Sequence, residues 1–287
     1  SNRPDRLAHA LENFDRQSYR AKHLLFVTNS AEFDVDELDK RIAAIPRARW
    51  IAADPDLTLG ECLNLAIGAL GTPFLAKMDD DDLYGDDFLA DLMTAFRYTE
   101  ADIVGKGGYY CHVAGRDETW LRSAHREFKY GDYVAGGTIV ASVDAIADLR
   151  FQAVPRGTDT RFLKDAVAAG LRIFSADRFN FVQMRGVDRS SHTWQIDDEH
   201  YLRNARRVAS GLARDVVDVQ GQDVRQSVFE VTEPFDARDL ALQGLEHARA
   251  ERRAAGVVFG DVGQHELGSD RQADGAGKVL SAAAQAV

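Results

Sequence analysis

Four consecutive aspartates, Asp79 to Asp82, follow the apolar run Pro73-Phe74-Leu75-Ala76 with only Lys77 and Met78 between. A short β-compatible run that ends abruptly in acid reads as a buried strand emerging at the carboxyl edge of a sheet. In open α/β sheets that edge is where ligands bind. Adjacent negative charges repel one another, so a compact fold tolerates four of them most easily beside a cation. Hard carboxylate oxygens suit Mg²⁺ or Mn²⁺, ions that in turn hold nucleotide phosphates. The competing reading is a solvated acidic turn capping a helix that starts near Asp86.

The chain before this run alternates helix and strand. Over residues 6–17, Leu7, Leu11 and Phe14 recur at helical spacing, and the apolar residues 23–27 read as a strand running into Thr28-Asn29-Ser30. Leu38, Ile42 and Ile45 mark a helix over 35–45, and residues 49–53 a second strand. Thr58-Leu59-Gly60-Glu61 matches a capping box, in which the hydroxyl and the carboxylate satisfy orphan amides at a helix start. It opens a helix through Leu63, Ala66, Ile67 and Leu70. A strand at 73–76, the Asp run and a helix over 86–98 follow. The alternation predicts a mostly parallel sheet with helices on both faces.

After a strand at 101–104 the rhythm changes. Residues 107–113, 118–121 and 137–141 read as shorter strands joined by Gly-rich and charged turns, a small antiparallel addition. A helix over 159–169 closes on Gly170 as its cap, and two strands follow at 171–175 and 179–183. The loop 184–195, rich in Arg, Ser and Gly, leads into a basic helix over 198–212. The expected division is a domain over 1–212 and an appendage over 213–287, partly helical and disordered toward its end.

Length and charge bound the function classes. The 287 residues allow one large domain, or one domain with an appendage. A net charge of −11 without a dense basic stripe excludes a general nucleic-acid binder. No stretch approaches the roughly 20 apolar residues of a membrane span, and the polar start Ser1-Asn2-Arg3-Pro4-Asp5 does not read as a signal peptide. Cys62 and Cys111 have neither metal-ligand nor redox spacing and read as core thiols, so a cytoplasmic location is expected. Arg203, Arg206, Arg207 and Arg214 on the basic helix would suffice for a weak peripheral contact with the inner face of a membrane.

Taken together, these pieces resemble family 2 glycosyltransferases of the GT-A fold, the nucleotide-sugar-dependent enzymes of bacterial polysaccharide and glycoconjugate synthesis. The resemblance covers roughly residues 2–210 and rests on four pieces in order. They are Asn2-Arg3-Pro4 before the first helix, Gly60 to Asn64 opening the third, the Asp run after a strand, and Arg156-Gly157-Thr158-Asp159 before a helix. A fifth, Ser191-His192-Thr193-Trp194, stands where many GT-A enzymes place a metal-binding His. The fold implied is a Rossmann-like three-layer α/β sandwich. The activity implied is inverting, metal-dependent transfer of a sugar from a nucleotide-diphosphate sugar, UDP-linked by expectation, to a hydroxyl of a glycan or glycoconjugate.

The resemblance assigns residues as well. Asp79 and Asp81 match the DxD motif that faces the ribose and binds Mn²⁺ or Mg²⁺ between the phosphates. Asp82 is as plausible a ligand as Asp79, and His192 an acceptable third ligand for Mn²⁺. Asp80 is expected to point away, because neighbours in an extended segment alternate faces. Asp159 matches the general base, with an ordinary helix N-cap as its alternative; the family usually carries an acid where Thr158 stands. Asn64 matches a position near the nucleotide base, while Lys77, Arg185 and Arg189 are candidates for the nucleotide and its diphosphate. Gly136-Gly137 corresponds to an acceptor-side wall, and Trp120 is expected to pack rather than stack on sugar.

GT-A domains carry a strand before the Asn-Arg-Pro segment, in the middle of the sheet. The expectation is therefore that the natural polypeptide extends upstream of Ser1, with room for a further domain. Thr158 and the missing strand also keep open a non-catalytic nucleotide-sugar or glycan-binding module on the same fold. A Ca²⁺ loop of EF-hand type is excluded by Leu83 and Tyr84 at positions that require oxygen and Gly.

Overall fold

The computed structural model describes residues 1–186 and 197–214. A 3₁₀ turn at Pro4–Arg6 precedes α1 (Leu7–Asp15), β1 (Leu24–Thr28), α2 (Val35–Ala43), β2 (Ala48–Ala52) and α3 (Leu59–Gly68). Then come β3 (Phe74–Ala76), β4 (Leu83–Tyr84), α4 (Phe88–Tyr98), β5 (Ile103–Gly105), β6 (Tyr109–Val113) and β7 (Glu118–Arg122). The rest is β8 (Lys129–Gly131), β9 (Val140–Ser142), α5 (Thr158–Ala168), β10 (Ile173–Ser175), β11 (Phe181–Arg185), α6 (Asp198–Tyr201) and β12 (Ala205–Ser210).

The central sheet runs β3-β9-β5-β10-β8, and its side chains divide by the two-residue period of a strand. Leu75, Ala141, Ile103 and Ile173 face one way, onto Phe162, Leu163 and Ala166 of α5 and the inner residues of α3. Their neighbours Ala76, Val140, Val104 and Phe174 face the other way, onto Phe88, Leu92 and Ala95 of α4. That is the helix–sheet–helix sandwich expected. A second sheet, β12-β7-β6-β11-β4, stands beside it, and β1 with β2 forms a separate parallel pair under α1 and α2.

The antiparallel part is larger than the sequence suggested. Parallel pairing joins β1 to β2, β5 to β10 and β6 to β11, and the other pairings among the described residues are antiparallel. The basic helix expected over 198–212 is corrected most sharply. Only Asp198–Tyr201 is helical, and residues 205–210 form β12, with Arg206 opposite Leu121 and Arg207 opposite Trp120. The open edge of β7 offers a ladder of hydrogen bonds to this segment, which outweighs its weak helical preference. Arg207 therefore pairs with Glu118 across the sheet at 2.8 Å rather than lying on a cationic helix face. Among the described residues, no helix is long and apolar enough to cross a membrane. The appendage expected from 213 onward lies, beyond Arg214, outside the described residues.

Ser1 rests on the edge of β1 that β2 does not use. Thr28 accepts from Ala53 on the β2 side, whereas Val27 accepts from the Ser1 backbone nitrogen at 2.6 Å and Asn29 donates to the Ser1 carbonyl at 3.0 Å.

One buried ion pair braces the sandwich away from the acidic loop. Lys106 is wholly buried and donates to Asp177 Oδ1 at 3.0 Å. Asp91 on α4 lies nearby and accepts from Asn180 Nδ2 at 2.8 Å. Burial pushes the Asp91 carboxyl up to about 6, against the pull of the Lys106 ammonium. The folded state then holds this proton more tightly than the unfolded chain, so Asp91 costs stability as the pH rises from about 4 to about 6. Urea denaturation should show Asp91→Asn gaining on the wild type by about 2–3 kcal/mol between pH 4 and pH 7. A difference that stays flat across that range would refute the shift.

Candidate active site

The acidic run is the connection between the two larger sheets. The chain leaves the central sheet after Lys77, whose amide still bonds Ile139 at 2.8 Å, and enters the second sheet at β4, which pairs with β11. Asp79 to Asp82 fill the turn between, against a groove of about 890 Å³ that Lys77, Gly136, Asp159 and Arg185 also line.

Each carboxylate has its own environment. Asp79 Oδ1 lies 2.5 Å from the Lys77 ammonium. Asp80 does not point away from its neighbours: Arg3 grips Asp80 with one guanidinium nitrogen and Asp81 with another, the latter at 3.0 Å. A turn with a cation above it overrides the alternation of an extended strand. Asp82 is buried; its Oδ1 accepts from the Met184 amide at 2.8 Å, and its Oδ2 has no partner. Burial and the neighbouring Asp79 and Asp81 charges raise the Asp82 carboxyl well above the usual range.

The loop is tied down from two sides. Asn13 Nδ2 donates to the Asp82 carbonyl at 2.9 Å and His9 Nε2 at 2.8 Å, both from one face of α1. On the other side the buried Tyr84 hydroxyl accepts from the Asp79 amide at 2.7 Å and donates to the Gly137 carbonyl at 2.8 Å. His9, Asn13 and Tyr84 were not foreseen. The i, i+4 spacing of His9 and Asn13 was the available signal, though it does not reveal what the pair faces.

Asp159 reaches the same groove from about 80 residues downstream. It is not the helix cap. Gly157, with φ of 73°, occupies that position, and Asp159 sits within the first turn of α5. Its Oδ2 lies 3.3 Å from the Lys77 ammonium, and its Oδ1 is buried without a partner. Burial raises this carboxyl, Lys77 opposes the rise, and Asp79 adds to it. Gly136 makes the approach possible, since a Cβ there would stand 2.1 Å from Asp159 Oδ2. A Cβ on Gly137 would crowd Asp79, Asp82 and Tyr84 at about 3 Å. The glycine pair is thus the floor beneath the carboxylates, and the arrangement can accept a proton beside a concentrated negative field.

The other candidates differ in where they fall. Asn64 exchanges two hydrogen bonds with the Phe151 backbone, at 2.8 and 2.9 Å, and lies off the groove lining. Arg185 is buried, donates to Asp198 Oδ1 at 2.9 Å and lies 4.5 Å from the Tyr201 ring centre. Trp120 packs beside Cys111 and Tyr201 as expected. Arg189, His192 and Trp194 lie outside the described residues. Among the described residues no group of three or more His, Cys, Asp or Glu is gathered for a metal ion. The donor chemistry nevertheless fits one, because the turn is rich in hard oxygens and Asp82 Oδ2 is buried with nothing to bind.

A family model described as glycosyl transferase family 2 matches residues 1–155. No curated protein matches the sequence. Among solved structures, the chain is similar to the mannosyltransferase PcManGT from Pyrobaculum calidifontis in complex with GDP-Man and Mn²⁺. The TM-score is 0.54 at 15% identity, over 88% of this chain and 74% of that one. It is also similar to S. aureus TarS 1-349 in complex with UDP-GlcNAc, with TM-score 0.52 at 10% identity, over 84% of this chain and 67% of that one.

Removing the Tyr84 hydroxyl leaves the Asp79 amide and the Gly137 carbonyl unpartnered in a buried site. Tyr84→Phe should therefore cost about 2 kcal/mol in urea denaturation. A loss within about 0.5 kcal/mol would mean that water replaces the hydroxyl and that the loop is not anchored there.

Proposed function

Because the chain belongs to glycosyl transferase family 2, and is a glycosyltransferase, we propose that its groove carries an inverting transfer from a nucleotide-diphosphate sugar to a hydroxyl of a glycan or glycoconjugate. The observation that carries this reading is the meeting of Asp79–Asp82 and Asp159 in one groove, with Asp159 Oδ1 unpartnered. The two similar folds were captured with nucleotide sugars, one of them with Mn²⁺, which supports a donor of that class here. A UDP-linked donor, a role in polysaccharide synthesis and a cytoplasmic location are part of the proposal.

Asp159 is the general base. An acceptor hydroxyl beside its free oxygen gives up its proton as the hydroxyl oxygen attacks the anomeric carbon. A carboxylate raised by burial is a stronger base than one in water. Attack from the face opposite the leaving group inverts the anomeric centre. Asp79, Asp81 and Asp82 are the residues that would hold Mn²⁺ or Mg²⁺. When bound, such an ion supplies neutralisation of the charge on the departing nucleoside diphosphate. To take part, Asp81 would leave its contact with Arg3; because burial raises the Asp82 carboxyl, nucleotide binding through such an ion would strengthen as the pH rises. Arg185 forms part of the groove wall, and its pairing with Asp198 keeps its charge beside the site.

Calorimetric titration of UDP, GDP and dTDP with Mn²⁺, and again with EDTA, tests the donor site. Asp81→Ala should abolish metal-dependent nucleotide binding. Asp159→Asn should keep it within about threefold while transfer falls by about 10²–10⁴-fold, the range for loss of a general base. NMR of the product should show the anomer opposite to that of the donor. No nucleotide binding by folded wild-type protein would sink the proposal. Binding without turnover would instead identify a non-catalytic module, to which Thr158 already lends some support.

A further inference from the structure

We propose that Lys77 is a positioning residue for Asp159, locking the base to the donor-side carboxylate Asp79 through a single buried ammonium. The proposal rests on the role given above to Asp159, and it removes Lys77 from the nucleotide ligands.

Lys77 is 3% exposed, an environment that a charged ammonium tolerates only when paired. Its Nζ lies 2.5 Å from Asp79 Oδ1 and 3.3 Å from Asp159 Oδ2. An ammonium has three donors in a compact head, so one lysine can join two carboxylates that would otherwise repel. The backbone end is equally fixed, since the Lys77 amide continues the β3–β9 ladder by bonding Ile139.

Asp159 needs such a partner. In the first turn of a helix a carboxylate ordinarily turns back onto free amides, yet Gly157 holds the cap position and Asp159 Oδ1 bonds nothing. Gly136 leaves the space that Oδ2 occupies, since a Cβ there would stand 2.1 Å from it. Oδ2 thus lies beside both Lys77 and Gly136, and Oδ1 is left as the unpartnered oxygen. A base that must meet a hydroxyl along one line gains from this, because a displacement of about 1 Å can cost about 100-fold in rate. Asp79 sits on the same ammonium, so a shift of the donor-side carboxylate and a shift of the base are mechanically linked.

The test uses Lys77→Met, close in length but uncharged, with Lys77→Arg as the cationic control. Crystal structures of the wild type and Lys77→Met should show the Asp159 carboxylate moved away from Gly136. Transfer kinetics should show kcat reduced by about 100-fold while the donor KM changes by less than about threefold. Lys77→Arg should recover part of the loss. Adding Lys77→Met to Asp159→Asn should cost nothing further, because a residue that acts through Asp159 has no effect once the base is gone. An Asp159 unmoved in Lys77→Met, or equal and additive losses in the two backgrounds, would overturn the proposal. If Lys77→Met does not fold, the Arg variant carries the same test in both backgrounds. Failure of the wild type to bind UDP or GDP with Mn²⁺ would strike the function itself, and is read before Lys77 is altered.

Discussion

Everything at this site depends on how four adjacent carboxylates are neutralised. Two cations do so. Lys77 joins Asp79 to Asp159, while Arg3 joins Asp80 to Asp81. Asp82 has no ion-pair partner of its own: Oδ1 accepts from the Met184 amide, Oδ2 bonds nothing, and burial with the neighbouring charges raises its carboxyl. A charge cluster that is mostly paired is stable enough to fold while it retains one buried oxygen without a partner.

This arrangement dictates the surrounding architecture. Arg3 is useful only if the chain before α1 stays near the turn, and the α1 bonds from His9 and Asn13 to Asp82 keep it there. Lys77 is useful only if α5 brings Asp159 within reach, and Gly136 permits that approach. The turn itself bridges two sheets, so Tyr84 locks one edge of it while packing against Phe88 and Phe181. Membership in the family accounts for the layout of strands and helices. The pairing of charges is what makes this layout a site.

Much of this was legible before any coordinates. Local signals are carried by neighbouring residues, and they held: the Thr58 capping box forms as read, Gly170 closes α5 with φ of 84°, and the helices carrying Leu38, Leu92 and Phe162 bury those residues. The readings that failed needed information from distant chain. Residues 205–210 became a strand because β7 supplied an edge, and Asn64 turned to Phe151 because that backbone lay beside it. The two-residue β4 and the exposed β8 were too short to announce themselves.

The sequence by itself determined the α/β class, the family and the identity of the carboxylates, because periodicity, capping and an ordered set of short motifs are properties of contiguous residues. Only the tertiary structure decided what each carboxylate meets. Whether Asp159 capped its helix or faced the groove, whether Lys77 met a ligand or two acids, and whether Asp80 turned away or shared Arg3 were all open choices. They were settled by which groups the fold brings within about 3 Å, where a charge must find a partner or lose its ionisation.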